Sequence, residues 1–235
     1  MSSSLRSTHV YETHVTVHCQ SAAEAERLGR WATGAGLKLT HIVLARGRMT
    51  TQPMLTLSGS PSYADESARA REVAARLRAD GFDPVRVKIE SSPWAPEVPR
   101  EPCADGRYFE HHVKVRLPVD TDLDVLAARV VPYGAHLSWN ARRVVRSGRW
   151  TERFVTQRCR GVDATGAGRA LERLLAELRR HRAVELEVVD VEREFVLYDS
   201  DLSVDDGWID GWVEGWVEGS GGLVVAAARV REVRG

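Results

Sequence analysis

The sequence predicts an α+β protein built from two tandem ferredoxin-like units, each with the element order βαββαβ, that are related by a pseudo-twofold axis. Two observations predict this fold. The strings VYETHVTV at 10–17 and YFEHHVKV at 108–115 share the pattern aromatic-Glu-x-His-Val-x-Val. Segments with the periodicity of helices and strands follow both strings in the same order, which is the order of the split βαβ unit.

The first unit spans residues 8–91 and begins with the strand that contains VYETHVTV. A helix follows, in which Ser21 and Glu24 form a capping box, and it ends at the glycines of TGAG. Two short β-branched strands, a second helix and an alternating strand come next: LKLTHIVLARG, QPMLTLSG, DESARAREVAARLRADG and FDPVRVKIE. These segments complete one βαββαβ unit.

The second unit spans residues 108–200 and repeats that order of elements with a different amino-acid sequence. Its predicted elements are YFEHHVKVRL, DTDLDVLAARVVPYG, AHLSWNARR, ERFVTQRCRG, ATGAGRALERLLAELRRH and VVDVEREFVLYD. Glu12 and His14 match Glu110 and His112 at an offset of 98, and small loop insertions extend the offset to 104 at the last strand. Such an internal duplication predicts two sheets that either face one another or join edge to edge.

A linker at 92–107 and an extension at 201–235 complete the predicted organisation. The linker is rich in proline and carries Trp94, which we expect to pack across the seam between the units. The extension is acidic and rich in Trp and Gly, with the short repeat GWIDGWVEGWVEG. Its first part, DSDLSVDD, lacks the residue spacing of an EF-hand calcium loop and is predicted to be a solvated turn.

Composition excludes several classes of partner. The chain has 33 basic and 33 acidic residues, so we expect no general attraction to nucleic acid or to anionic membranes. No stretch approaches the roughly 20 apolar residues that a membrane-spanning helix needs. The three cysteines form no CxxC pair, which argues against a structural zinc site and a disulfide framework. We therefore expect a cytoplasmic protein.

Strand alternation places both Glu-x-His pairs on sheet faces that point away from the helices. Glu12 and His14 share this face in the first unit, and Glu110 and His112 share it in the second. These four residues are the predicted catalytic groups. Predicted ligand-binding groups on the same faces are Thr16, Lys88, Lys114, Thr156 and Arg158. His111 alternates to the opposite face and is predicted to be a core histidine.

Three chemistries fit this polar patch, and the first is metal binding. Imidazole and carboxylate groups on neighbouring strands are typical ligands of zinc, manganese and iron(II). The predicted ligands of a divalent metal are His14, Glu90, His112 and Glu194. The string HVTV resembles the opening strand of vicinal oxygen chelate enzymes, which implies a metal held by a His and a Glu from each module, although the helix between the third and fourth strands departs from that module.

The other two chemistries are phosphoester hydrolysis and binding without catalysis. HVT at 14–16 resembles the His-x-Thr signature of two-histidine phosphoesterases, which implies an acid or base role for His14 and oxygen binding by Thr16. The second unit departs from that signature with Lys114 in place of the threonine. Alternatively, the polar faces bind a small anionic ligand, for which Lys114 and Arg158 supply positive charge, or another protein.

Four segments resemble a family of bacterial proteins with a duplicated ferredoxin-like unit and no assigned chemistry. They are YFEHHVKV, GAHLSWNARR, ERFVTQRC and EREFVLYDSDLSVDDGWI, and the resemblance covers most of residues 10–210. It implies a fold and names no catalytic residue. From the residues themselves we expect metal-dependent or acid–base chemistry on a small anionic substrate, with a binding module and a phosphoesterase as alternatives.

Overall fold

The structure, a computed structural model, describes residues 10–102, 105–141, 148–180 and 185–208 and the backbone of residues 213 and 214. The first elements are β1 (Tyr11–His18), α1 (Ala22–Gly34), β2 (Lys38–Leu44), β3 (Thr51–Ser58), α2 (Tyr63–Ala79) and β4 (Asp83–Ser91). The remaining elements are β5 (Tyr108–Pro118), α3 (Leu123–Val130), β6 (Ala135–Asn140), β7 (Trp150–Arg160), α4 (Ala164–Arg180), β8 (Glu187–Asp199) and β9 (Val213–Glu214). Most of the predicted GW repeat lies outside the described residues.

Strands β1 to β8 form one closed antiparallel barrel. Their order is β5-β8-β4-β1-β3-β2-β6-β7, and β7 pairs back with β5. The chain does run through the order βαββαβ twice. Nevertheless, the prediction of two tandem ferredoxin-like α+β units with pseudo-twofold symmetry is wrong, and so is the interpretation of the chain as a duplication of such units, because all eight strands share a single sheet.

Pairing between the two halves of the chain overturns the prediction of separate units. Strand β4 pairs with β8, and β2 pairs with β6 through the three residue pairs from Ile42–Asn140 to Leu44–Ser138. A separate four-stranded sheet would expose unpaired backbone groups along two edges, and closure removes those edges. Alternation in the sequence predicts which way a side chain points, but it does not identify the partner of an edge strand.

The helices pack on the outside of the barrel. Val15 and Val17 of β1 are fully buried in a cluster with α1 and α2, and Val113 and Val115 of β5 are fully buried in a cluster with α3 and α4. Because alternate side chains of a barrel strand point in opposite directions, the even-numbered residues of β1, β4, β5 and β7 face the interior. The polar faces predicted from the sequence therefore line the inside of the barrel.

His111 lies on the outer face of β5, as predicted. Its side chain is buried, and its Nε2 lies 3.3 Å from the carbonyl oxygen of Ala167 in α4. Burial lowers the pKa of His111 to about 4, so the ring is neutral near pH 7. The prediction of a core histidine is confirmed.

The segment between β4 and β5 follows the surface of the barrel as far as the structure describes it. The Tyr11 hydroxyl donates a hydrogen bond of 3.0 Å to the Glu97 carboxylate. Trp94 is 79% exposed, so the prediction that it packs across a seam is wrong. Within the described ranges, the structure contains no helix that is both long and apolar enough to cross a membrane.

Residues 201–208 return to the barrel after β8 and pack beside the β2–β3 loop. The indole N–H of Trp208 donates to the carbonyl oxygen of Leu137 over 3.1 Å. Gly47 adopts a φ of +119°, and a Cβ there would lie 2.9 Å from the backbone nitrogen of Trp208. Val204 and Asp205 are buried, so the prediction that DSDLSVDD is a solvated turn is wrong for these two residues.

Candidate functional site

Charged side chains fill much of the barrel interior. Those predicted from the sequence and found on inward-facing positions are Glu12, His14, Lys88, Glu90, Glu110, His112, Lys114, Arg158 and Glu194. Moving a charge from water into a protein interior costs several kcal/mol unless a partner compensates it. The contacts between these groups therefore determine whether the barrel can tolerate them.

His14 contacts two carboxylates and one hydroxyl group. Its Nε2 lies 3.1 Å from Glu90 Oε2 and 3.4 Å from Glu12 Oε1. Its Nδ1 lies 3.3 Å from Thr56 Oγ1, on the neighbouring strand β3. The threonine orients the ring so that Nε2 points at the carboxylates, while 16% of the side chain stays exposed.

His112 makes the same three kinds of contact. Its Nε2 lies 3.4 Å from Glu194 Oε2 and 3.7 Å from Glu110 Oε2. Its Nδ1 lies 3.0 Å from the hydroxyl of Thr156, the residue opposite it on β7. The imidazole is again held at one nitrogen and directed at carboxylates with the other, and 24% of the side chain is exposed.

Lys88 joins the two histidine sites. Its Nζ lies 2.6 Å from Glu90 Oε1 and 2.5 Å from Glu110 Oε2, and both carboxylates are almost completely buried. The pairing of β8 with both β4 and β5 allows this bridge, since Lys88 and Glu90 belong to β4 whereas Glu110 belongs to β5, two strands away in the sheet. The two histidines are thereby connected through an unbroken series of ionic contacts.

The surroundings of His112 and Glu194 raise the pKa values of both groups. Burial lowers the pKa of His112, but the hydrogen bond to Glu194 and the charge of Glu110 outweigh it and raise the pKa to about 9. Burial and the nearby charge of Glu90 raise the pKa of Glu194 to about 6, although His112 opposes this. Near pH 7, His112 therefore holds a proton and Glu194 is close to its titration point.

The carboxylates at the centre of the series have low pKa values. Burial raises the pKa of Glu90, but the charges of Lys88 and His14 outweigh burial and hold it at about 2. Burial likewise raises the pKa of Glu110, and Arg158 and Lys88 bring it well below its usual range. Both groups are ionised at neutral pH. Burial lowers the pKa of His14, but the charge of Glu90 outweighs burial and raises that pKa above its ordinary value, and the charge of Glu110 helps to keep His112 protonated.

Two predicted ligand-binding residues take no part in this series of contacts. Thr16 is buried and lies opposite Arg86 in the pairing of β1 with β4. Lys114 lies on β5 with its Nζ 3.0 Å from Glu152 Oε2. Thr156 and Arg158 do belong to it, because Thr156 orients His112 and Arg158 Nε lies 2.5 Å from Glu110 Oε1.

Sequence reasoning missed several residues that continue the network beyond Arg158. Arg158 and Arg86 each donate to Asp205 Oδ2, over 2.8 and 2.7 Å. Arg86 also pairs with Asp199, which accepts a 2.7 Å hydrogen bond from the Tyr108 hydroxyl. The alternation that identified Lys88 also places Arg86 on the inner face of β4, so that residue could have been found. Asp205 could not, because it lies outside the strands.

The position of Lys88 disfavours metal binding in this site. The acid and imidazole ligand atoms of Glu90, Glu110 and His112 lie within 4.8 Å of one another, which is a spacing that a metal ion could use. The Lys88 ammonium, however, already lies within 2.6 Å of both carboxylates. A divalent ion bound by both carboxylates would have to displace this cation, so the arrangement favours proton chemistry over metal chemistry.

Comparison with known proteins adds little to these contacts. No family model and no curated protein matches the chain. Among solved structures, the chain is similar to a protein provisionally named a chlorite dismutase, at 14% identity over 80% of this chain and 94% of that one, with a TM-score of 0.23. A similarity at this level supports no argument about fold or function, and the resemblance to a bacterial family stays a prediction.

Proposed function

We propose that the protein is an acid–base enzyme that acts on a small polar substrate at the partly exposed edge of the charged barrel interior. One observation carries this proposal, namely a continuous series of ionic contacts with partly exposed ends and a buried centre. The series consists of Glu12, His14, Glu90, Lys88, Glu110, His112 and Glu194, in that order.

The energetic cost of this interior supports a functional use. Replacing a buried ion pair by well-packed apolar residues is often neutral or stabilises a protein by about 1–4 kcal/mol. A barrel that only needed to be stable would therefore gain nothing from seven ionisable groups in contact. Proton transfer, in contrast, requires such groups, held where their pKa values can be adjusted by burial and by neighbouring charges.

Glu194 and His112 are the groups we assign to proton transfer. When the surroundings of two neighbouring titratable groups hold their pKa values apart, the two groups can be assigned as an acid and a base. Glu194, with a pKa of about 6, is ionised above that pH and accepts a proton from the substrate. His112, with a pKa of about 9, is protonated below that pH and donates one. His14 and Glu12 form the second partly exposed pair.

The phosphoesterase hypothesis has less support. In the two-histidine mechanism that the HVT string suggested, both imidazoles face the phosphoryl group. Here each Nε2 faces two carboxylates within 3.7 Å, and their negative charge repels phosphoryl oxygens. The same carboxylates disfavour a strongly anionic substrate, so we propose a neutral or zwitterionic one.

Proton exchange in D2O tests the proposal across a panel of small polar compounds. Wild-type protein is incubated with small carbonyl, amide and amino-acid compounds, and exchange or turnover is followed by proton NMR. We expect at least one compound to react, with a loss of about 10²- to 10⁴-fold in Glu194→Gln, the range typical of general acid–base catalysis. Glu187→Gln, at an exposed position on the same strand, is the matched control and should leave the rate unchanged.

The pH profile provides the second readout of this experiment. The rate should be highest between about pH 6 and 9, because Glu194 must be ionised and His112 protonated. If no compound reacts, or if Glu194→Gln and His112→Gln both react as fast as wild type, the proposal is wrong.

A further inference from the structure

Three hydrogen-bond donors of the barrel interior converge on one carboxylate that does not belong to the barrel. Arg86 Nη1 and Arg158 Nη2 donate to Asp205 Oδ2 over 2.7 and 2.8 Å. Gln52 Nε2 donates to Asp205 Oδ1 over 2.9 Å. The donors come from β4, β7 and β3, whereas Asp205 lies in the 3₁₀ helix Leu202–Asp205 that follows the last barrel strand.

The barrel itself positions the two guanidinium groups. Arg86 uses Nε and Nη2 to bind both oxygens of Asp199. Arg158 uses Nε to bind Glu110, and its guanidinium carbon lies 5.3 Å from the centre of the Tyr108 ring. Each arginine is therefore held by strand residues and directs a different nitrogen at Asp205. Two guanidinium nitrogens and one amide nitrogen that converge on one carboxylate form an arrangement typical of carboxylate binding.

Burial makes this arrangement selective for an anion. Gln52, Arg86, Arg158 and Asp205 are all at most 4% exposed. Charge-assisted hydrogen bonds in such surroundings are stronger than those at the surface, and leaving the donors without an acceptor costs more. The donor set therefore needs a carboxylate, and the chain supplies one from a segment that follows the barrel.

We propose that Gln52, Arg86 and Arg158 form a binding site for a small carboxylate, and that Asp205 is its resident intramolecular ligand. The site is distinct from the Glu194–His112 pair and does not depend on the proposed activity. It is connected to that pair, since Arg158 contacts both Asp205 and Glu110. The proposal predicts that a free carboxylate occupies the site once the Asp205 carboxylate is removed.

Rescue of Asp205→Ala by formate and acetate tests the proposal. Thermal unfolding is measured at pH 7.5 for wild type, Asp205→Ala and Asp206→Ala in sodium formate or acetate, with sodium chloride at equal ionic strength as the reference. Asp206 is the matched control because it is the next residue and its side chain is exposed. At ten times the dissociation constant, we expect formate to raise the melting temperature of Asp205→Ala by about 3–6 °C and that of the other two proteins by nothing beyond the chloride effect.

Two further variants complete the test. Asp205→Asn fills the site with a neutral amide and should show no formate effect, and Asp205→Ala combined with Arg158→Gln should lose the rescue. If Asp205→Ala is insoluble in chloride, recovery of folded protein by refolding in formate supports the proposal, and failure in both salts overturns it. An equal effect of formate on all variants, or no effect on Asp205→Ala, also overturns it.

Discussion

Replacement of Lys88 by methionine removes the cation between the two buried carboxylates while keeping most of the apolar stem. In the wild type, Nζ lies 2.6 Å from Glu90 and 2.5 Å from Glu110, and both acids are almost completely buried. The variant leaves each carboxylate with fewer compensating charges. Removing one partner of a buried ion pair typically costs about 3–5 kcal/mol, because the other charge stays buried.

The expected loss lies near the lower end of that range, at about 3 kcal/mol. Glu90 keeps its contact with His14, and Glu110 keeps its contact with Arg158. For a chain of 235 residues, a loss of this size lowers the melting temperature by about 6–12 °C. The loss should be largest near pH 7.5, since at lower pH the uncompensated charge is relieved when Glu90 takes up a proton in the folded variant.

Urea unfolding followed by circular dichroism measures this loss directly. The matched control is Lys38→Met, at an exposed position on β2, which should change the free energy of unfolding by less than about 0.5 kcal/mol. If Lys88→Met loses less than about 1 kcal/mol at pH 7.5, or no more than Lys38→Met, the ammonium does not compensate the two carboxylates and the description of the network is incorrect.

Three other perturbations test separate parts of the account. The folded-state pKa of His112, about 9, exceeds the ordinary value of 6.5. Protonation of His112 therefore adds up to about 3 kcal/mol to the free energy of unfolding, and this stabilisation is complete below pH 6.5 and is lost as the pH rises to 9. In urea unfolding, His112→Gln should flatten the dependence of the free energy of unfolding on pH, and an unchanged dependence would refute this expectation. Gly47→Ala should lower the free energy of unfolding by about 1–3 kcal/mol in calorimetry, because residue 47 has a positive φ and lies close to Trp208. A variant as stable as wild type would show that residues 201–208 shift freely. Leu171→Ala, in the buried face of α4, should cost about 2–5 kcal/mol, and a loss below about 1 kcal/mol would place α4 outside the cooperative core.

The sequence predicted the inward-facing groups because their positions follow from local rules. Alternation along β1 and β5 separates His14 and His112 from the valines beside them, and the structure places those valines under the helices. The same rule separates His111 from His112. In each case the direction of a side chain depends only on its own strand.

The closed barrel and the Lys88 bridge depend on contacts that no local rule contains. Whether β4 pairs with β8 is decided by the edges of two distant segments, and without that pairing Lys88 could not reach Glu110. Asp205 lies in a short polar segment that has the composition of a solvated turn. Its burial is decided by Arg86 and Arg158 on distant strands.

Titration of the imidazole nitrogens by nitrogen-15 NMR tests the central claim most directly. The claim is that buried carboxylates, joined by Lys88, hold a partly exposed histidine in its protonated form at neutral pH. Signals are assigned with His14→Gln and His112→Gln. We predict that His112 stays doubly protonated at pH 8 and titrates with a pKa of about 9, and that its pKa falls in Glu194→Gln. A His112 that titrates at about 6.5 or below, unaffected by Glu194→Gln, would contradict the account.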